Sequence, residues 1–212
     1  MRTFKSLLVI LLAVLANNIM AQTKFTVFAG ISPALYYTSD DYYNQSSSSD
    51  FKAGFCAGVS VHIAMGKHFA FEPGASFVQK GGIETDNSMN NHLKSTLTLN
   101  YIEVPLDFIY SRRNRFYFGI GPSLDFGMSG KEKISGDVIP ENHNIKFGSG
   151  SDDDLKGFDA GVDLLAGYHF KNGLFVVTNI NTGFINLSND NSSKFYNAYW
   201  GIKLGYAFSA NK

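Results

Sequence analysis

The stretch Arg115-Phe-Tyr-Phe-Gly-Ile-Gly-Pro-Ser-Leu-Asp-Phe-Gly-Met-Ser-Gly130 decides the fold. Its even positions, Phe116, Phe118, Ile120, Pro122, Leu124, Phe126 and Met128, are apolar. Its odd positions, Arg115, Tyr117, Gly119, Gly121, Ser123, Asp125, Gly127 and Ser129, are mostly small, polar or charged. Successive side chains of a strand point to opposite faces, so this period of two describes a strand with two unlike faces. The end of the chain repeats it: Trp200, Ile202, Leu204, Tyr206 and Phe208 alternate with Tyr199, Gly201, Lys203, Gly205 and Ala207. Between them, Phe158, Ala160, Val162, Leu164, Ala166, Tyr168 and Phe170 oppose Asp159, Gly161, Asp163, Leu165, Gly167 and His169.

Eight segments of this kind follow one another, at 24–37, 51–65, 69–80, 95–110, 115–130, 156–170, 174–187 and 196–209. Their connections alternate in length. Residues 66–68, 111–114 and 171–173 carry tight-turn chemistry, whereas 38–50, 81–94, 131–155 and 188–195 are longer and polar. Short turns at one end and long loops at the other predict an all-β fold, a transmembrane antiparallel up-and-down β-barrel of eight strands. An even strand count puts both termini on the short-turn side.

The outward face separates a membrane barrel from a soluble one. A lipocalin-like barrel turns its apolar face inward and a charged face to water. Here the polar face is rich in Gly, Ser and Ala, which suits a crowded interior. The apolar face is aromatic near the strand ends, as interfacial girdles require. Phe69, Tyr110, Phe116, Tyr168, Phe170 and Phe208 are expected at the turn-side rim, and Phe51, Phe77, Phe126, Phe158 and Phe184 at the other. The soluble periplasmic barrel remains the alternative that fractionation would decide.

Four stretches carry a resemblance. Tyr101-Ile-Glu-Val-Pro-Leu-Asp-Phe-Ile-Tyr110, Phe116-Tyr-Phe-Gly-Ile-Gly-Pro-Ser-Leu-Asp125 and Gly157-Phe-Asp-Ala-Gly-Val-Asp-Leu-Leu-Ala-Gly-Tyr168 look like the PorT-type outer-membrane β-barrel family of Bacteroidetes-like bacteria, as does Gly201-Ile-Lys-Leu-Gly-Tyr-Ala-Phe208. The resemblance covers nearly the whole chain after its leader. It implies the barrel fold, and its motifs are structural. The family's namesake is associated with secretion across the outer membrane, a role that no residue here carries over.

Composition agrees with an outer-membrane domain. Charged residues are 17% of the 212-residue chain, below the quarter usual in soluble domains, while aromatics reach 15%. Zero net charge argues against a nucleic-acid partner. The lone Cys56 excludes an internal disulfide and a multi-thiolate zinc site. At the N-terminus, Arg2 and Lys5 precede an apolar run, Leu7–Ala16, too short to span as a helix. Residues 1–21 therefore read as a signal peptide cleaved after Ala21, and 22–212 as the barrel domain. The expected location is the outer membrane of a Gram-negative bacterium, with termini in the periplasm and long loops outside.

Candidate chemistry gathers on the inward face. Glu72, Glu103, Asp107, Arg115, Asp125, Asp159, Asp163 and Lys203 are expected to form a structural polar network, with Lys52, Lys80, His62 and His169 also facing the lumen. An eight-stranded barrel is just wide enough for side chains to fill, so such charges must pair. At least one of Glu103, Asp107 and Asp125 is expected to contact Arg115, Lys203, Lys52 or Lys80. Ser60-x-His62 suggests a hydrolase pair but comes with no recognisable oxyanion loop. Asp152-Asp153-Asp154 lacks the spaced ligands of a calcium loop. No catalytic residue, metal site or cofactor is assigned.

The fourth segment breaks phase. Ile102, Val104, Leu106, Phe108 and Tyr110 are even, whereas Leu97 and Leu99 are odd. Either a β-bulge near Asn100 resets the pleat, or the strand has left the bilayer there; about nine to eleven residues suffice to span, and counting back from Tyr110 reaches roughly Asn100, which favours exit. The function classes left open are a non-enzymatic envelope component presenting loops to a partner, a narrow porin or secretion-associated assembly factor, and a barrel enzyme. Expected partners are outer-membrane lipid, the barrel-assembly machinery during biogenesis, and an envelope or extracellular protein.

Overall fold

The computed structural model describes residues 23–40, 42, 45–86, 92–112, 115–137, 140–150, 152–190 and 192–209. The expected signal peptide lies outside the described residues. In chain order the strands are β1 (Lys24–Ile31), β2 (Ala34–Asp40), β3 (Gln45–Ser48), β4 (Phe55–Ala64), β5 (Phe69–Asp86), β6 (Leu93–Ser111), β7 (Phe116–Gly136), β8 (Glu141–Ile145), β9 (Phe158–His169), β10 (Leu174–Gly183) and β11 (Ser193–Ser209).

Eight of them close a ring, in the order β1, β4, β5, β6, β7, β9, β10, β11, with β11 pairing back onto β1 from Phe25↔Phe208 to Ile31↔Ile202. All these pairings are antiparallel. β2 continues β1 along the same partner after a break at Ser32-Pro33, where proline has no N–H to give the ladder. Closure leaves the ring no edge strand, the condition under which a sheet can sit in lipid.

The alternation is carried into space. On β7 the residues Phe116, Phe118, Ile120 and Phe126 are exposed while Tyr117, Gly119, Gly121, Ser123 and Asp125 are buried. Even residues likewise point outward on β9, β10 and the barrel part of β11. Aromatic rings pair around both rims: Phe69 with Tyr110 (5.2 Å), Phe116 with Tyr168 (4.8 Å) and Tyr206 with Phe208 (4.8 Å) at the turn end, Phe55 with Phe77 (5.2 Å) and Phe126 with Phe158 (5.5 Å) at the other. The tight turns use the left-handed backbone at Gly66 (φ 108°) and Gly173 (φ 90°), where a Cβ would be strained.

One expectation needs correction, and one pair of alternatives is decided. First, residues 38–50, 81–94 and 131–155 are not simply loops: the first of them holds the end of β2 and all of β3, paired from Tyr37↔Ser48 to Asp40↔Gln45. β5 runs to Asp86, β6 starts at Leu93, β7 reaches Gly136, and β8 adds a fourth strand beside it. On these extensions the outward face is mostly polar and the inward face mixes Leu93, Leu97 and Leu99 with Ser95, Glu84 and Glu132, so no apolar outward face marks the strands where the ladder continues. Second, β6 keeps a single pleat. Leu97 and Leu99 stay buried on the same side as Tyr101 and Glu103, and the outward residues become Asn100, Thr98, Thr96 and Lys94. The outward face thus turns polar above Ile102, which is the exit alternative. A register shift does occur at Asn100/Tyr101, but the extra residue sits on the partner: Asn100 pairs Ser129 and Tyr101 pairs Gly127, leaving Met128 unpaired. The bulge therefore flips the phase of β7 rather than of β6.

Candidate functional site

The lumen is built as a polar layer between two apolar plugs. Near the turns, Ala70, Ile109, Tyr117, Leu165, Phe175 and Val177 pack together, with Phe28 against them. His169 stacks on Tyr117 at 4.7 Å. At the opposite end Tyr36, Val78, Leu97, Leu99, Tyr101, Leu155 and Leu187 form a second cluster, joined by Phe147 and Phe195. Leu155 and Leu187 come from the connections, so the second plug is partly made by chain folded over the barrel mouth.

The centre of the polar layer is Lys80, fully buried on β5. Its Nζ lies 3.0 Å from Asp125 Oδ2 and 3.8 Å from Glu103 Oε2. It donates to Asn181 Oδ1 at 3.2 Å and sits over the rings of Tyr101 (5.4 Å) and Tyr199 (5.2 Å). Asn181 passes the chain on to Ser123 Oγ (2.8 Å). Tyr199 donates to Glu103 (2.8 Å), and Asn179 donates to Asp163 (2.7 Å) and to Tyr199 Oη (3.1 Å). These residues lie on β5, β6, β7, β9, β10 and β11, so the network ties strands across the lumen. Each hydrogen bond removes the cost of an unpaired polar group in a dry interior.

Asp159 accepts from the Ile185 N–H at 3.3 Å, close to the loop-side plug. Nearer the turns, Glu72 accepts from Ser60 Oγ (2.7 Å) and is bridged by His62 Nδ1 (3.0 Å), while Thr26 bonds Ser60. Lys203 lies over Phe28 (5.2 Å) and Tyr199 (5.9 Å). It shares the wall of a cavity of about 40 Å³ with Glu72, Asp107, Asp163 and Asn179. That volume holds roughly one or two water molecules.

Of the network residues expected from sequence, Glu103, Asp125 and Lys80 are brought into direct ionic contact, and Asp163 and Glu103 are joined through Asn179 and Tyr199. Glu72, Asp107 and Lys203 line the small cavity. Arg115 is not brought to them: among the described residues no salt bridge links it to a lumen carboxylate. Its backbone is left-handed (φ 66°) in the turn before β7, so the pleat that would aim it inward has not begun. Half-buried Lys52 also stays out of the network, its amine donating to the Ala53 carbonyl at 3.1 Å. Sequence reasoning left out Asn179, Asn181 and Asn197, although their odd numbers on apolar, even-outward strands already place them inside.

The Ser60–His62 pair does not form a nucleophile and base. Both side chains bond Glu72 instead, so the carboxylate stands where a hydrolase needs the imidazole. In the longest connection, the acidic run serves as loop staples. Asp153 accepts from Gly150 N (2.8 Å), and Asp154 accepts from Lys146 N (2.8 Å) and lies 3.1 Å from His143 Nε2. These contacts hold the Asp154 carboxyl below the usual carboxylate range, the Lys146 N–H first among them. Among the described residues no group of three or more His, Cys, Asp or Glu is arranged to hold a metal ion.

At the long-loop end a polar groove of about 880 Å³ opens between β2, β3, β5 and β6, with Asp40, Asp50, Glu84 and Asp86 on its walls. A closed, edge-free ring with an aromatic-rimmed apolar exterior and a filled polar lumen is the arrangement of an outer-membrane barrel. The family described as outer membrane protein beta-barrel domain matches residues 16–189. The chain belongs to this family. Its fold is thus the eight-stranded outer-membrane barrel, placed in the outer membrane of a Gram-negative bacterium.

Among solved structures, Neisserial surface protein A is 11% identical, with 87% of this chain and 97% of that chain covered at a TM-score of 0.49. Ail, the attachment invasion locus protein of Yersinia pestis, solved with the heparin analogue sucrose octasulfate, is 13% identical, with 88% and 99% covered at 0.42. No curated protein matches this sequence.

Proposed function

We propose that this protein is a closed, non-enzymatic barrel that presents its extended strands and connections outside the cell to an envelope or extracellular partner. The observation that carries this reading is the lumen. Its buried network is capped by apolar clusters at both ends, and the cavity among its charged residues holds about 40 Å³, too small for a hydrated ion to pass. The polar groove at the other end offers a partner a surface that the membrane does not cover. In this reading the short turns and termini face the periplasm, and residues 1–21 are the export signal. Kinship with the PorT-type barrels, and through it a role in secretion, is the finer alternative.

The test is conductance in planar bilayers. The unmodified barrel should give no steady current steps, and Lys203→Ala should admit only small, irregular ones. A wide ohmic pore in the unmodified protein would overturn the closed reading in favour of the narrow porin.

A further inference from the structure

The extension formed by β5, β6, β7 and β8 sorts its charges by face. Ser95 Oγ donates to Glu132 at 2.6 Å, which marks the inward side, and Glu84 stands opposite Ser95 in the register. Asp86, paired with Leu93, and Glu141, paired with Ile134, have the same parity. The lysines are on the other side. Lys131 pairs Thr98 and Asn144, Lys133 pairs Thr96 and Asn142, and Lys94 pairs Thr85 and Ser135. All three lysines are exposed, and among the described residues none has a salt bridge. The outward face of this extension therefore carries three ammonium groups on β6 and β7 among Thr, Ser and Asn, while Ile83 and the Asp50 bridged to it stand on the same side at the β5 margin.

Position gives this face its meaning. On β7 the outward residues Ile120, Leu124, Phe126 and Met128 are apolar, and Met128 is 64% exposed. The bulge at Met128 then puts odd residues outward, so Ser129, Lys131 and Lys133 continue the same surface upward. At about 3.4 Å per residue, Lys131 and Lys133 lie roughly 10 and 17 Å along the strand from Met128. Strand tilt reduces that height to the headgroup layer and its upper boundary, and a lysine stem can bend towards it. A soluble partner approaching the open end would meet the acidic groove instead.

Resting on the orientation proposed above, we infer that Lys94, Lys131 and Lys133 form a docking face for the phosphate groups of outer-leaflet glycolipids. The apolar belt below holds the acyl chains, and the ammonium row meets the phosphates where the chains end. Thr96, Thr98, Asn142 and Asn144 supply neutral hydrogen-bonding groups between the charges. The bulge supports the inference independently, because without its phase change Lys131 and Lys133 would point into the vestibule with Glu132 outside.

The experiment titrates the detergent-solubilised barrel with bis-phosphorylated lipid A and with its dephosphorylated form. The wild-type protein should bind the phosphorylated lipid more tightly, and added salt should weaken that binding. Each lysine near a charged surface contributes about a fivefold gain, so Lys94→Gln/Lys131→Gln/Lys133→Gln should lose roughly a hundredfold. Lys67→Gln, in the turn at the other end, should change nothing. Equal binding of the two lipids, or a triple variant that binds like wild type, would overturn the inference. Heat unfolding in phosphatidylcholine vesicles should be the same for both proteins, which separates lost binding from lost folding. Orientation is read separately, by labelling Ser149→Cys in a Cys56→Ser background with an impermeant maleimide on intact cells. Labelling without lysine dependence overturns the inference alone. Lysine dependence without labelling overturns the orientation, and with it the assignment to the outer leaflet.

Discussion

Replacing Lys80 by methionine should be among the most damaging single changes in this barrel. The ammonium group is fully buried and lies 3.0 Å from Asp125 and 3.8 Å from Glu103. At an effective dielectric of about 20, these separations correspond to attractions of roughly 5.5 and 4.4 kcal/mol. Much of that offsets the desolvation of three charges, so the pair as built contributes far less than the sum. Removing the cation alone is different, because Asp125 and Glu103 then remain buried, close together and without their counter-charge. Breaking a buried pair from one side costs about 3–5 kcal/mol. Lys80→Met keeps the side-chain volume and should show that cost as a lower urea midpoint for unfolding from lipid vesicles. Trp200 fluorescence and electrophoretic mobility can follow the transition. Lys52→Met, at an amine that donates to the Ala53 carbonyl and has no salt bridge among the described residues, should stay within about 0.5 kcal/mol of wild type. In a double-mutant cycle with Asp125→Asn, the coupling should be at least about 1 kcal/mol. A Lys80→Met barrel as stable as the Lys52→Met barrel would refute the reasoning, since the lumen would then be wet enough to screen the pair.

Three further outcomes follow from the same geometry. Leu124→Arg, on the outward face of β7, should cost roughly 2–4 kcal/mol near the midplane, whereas Ser123→Ala, which removes only an acceptor for Asn181, should cost about 1 kcal/mol; comparable losses in vesicle unfolding would show the faces to be misassigned. Gly167→Val should hinder folding, because a Cβ there would run into the Tyr117 ring inside the turn-side plug; refolding yield on gels reads this, and Gly66→Val, with open space around it, isolates the backbone cost. The Asp154 carboxyl has a folded pKa below its unfolded value, so its hold on the loop is present at neutral pH and lost as pH falls through the folded pKa. Carboxyl NMR should find Asp154 titrating below ordinary aspartates, and Asp154→Asn should abolish the acid-dependent loosening around Lys146 without changing global unfolding.

The alternation written into Phe116–Met128, Phe158–Phe170, Trp200–Phe208 and the five like segments marked the strands of the ring, their two faces and their number, and pointed to the membrane as solvent with a soluble barrel as the alternative. Those properties depend on side-chain period and on hydrophobic transfer, which act locally and leave their mark in every strand. The inward position of Glu103, Asp107, Asp125, Asp159 and Asp163 was legible for the same reason. What parity cannot supply is register, because it names a face but not a height on the opposite wall. Only closure of β11 on β1, together with the stagger of the ladders, sets Lys80 beside Asp125, Glu103 and Asn181, and leaves Lys203 in the small cavity beside Asp107. Arg115 shows the local limit, since one left-handed residue in a turn takes it out of the pleat that would have aimed it inward. Above the bilayer the outward face is mostly polar and the inward one mixes Leu97 and Leu99 with Ser95, Glu84 and Glu132, so no apolar outward face marks the strands although the hydrogen-bonded ladder goes on. There the structure alone decided that β5 to β8 extend as a sheet, and that one unpaired residue, Met128, turns the lysines outward and the carboxylates in.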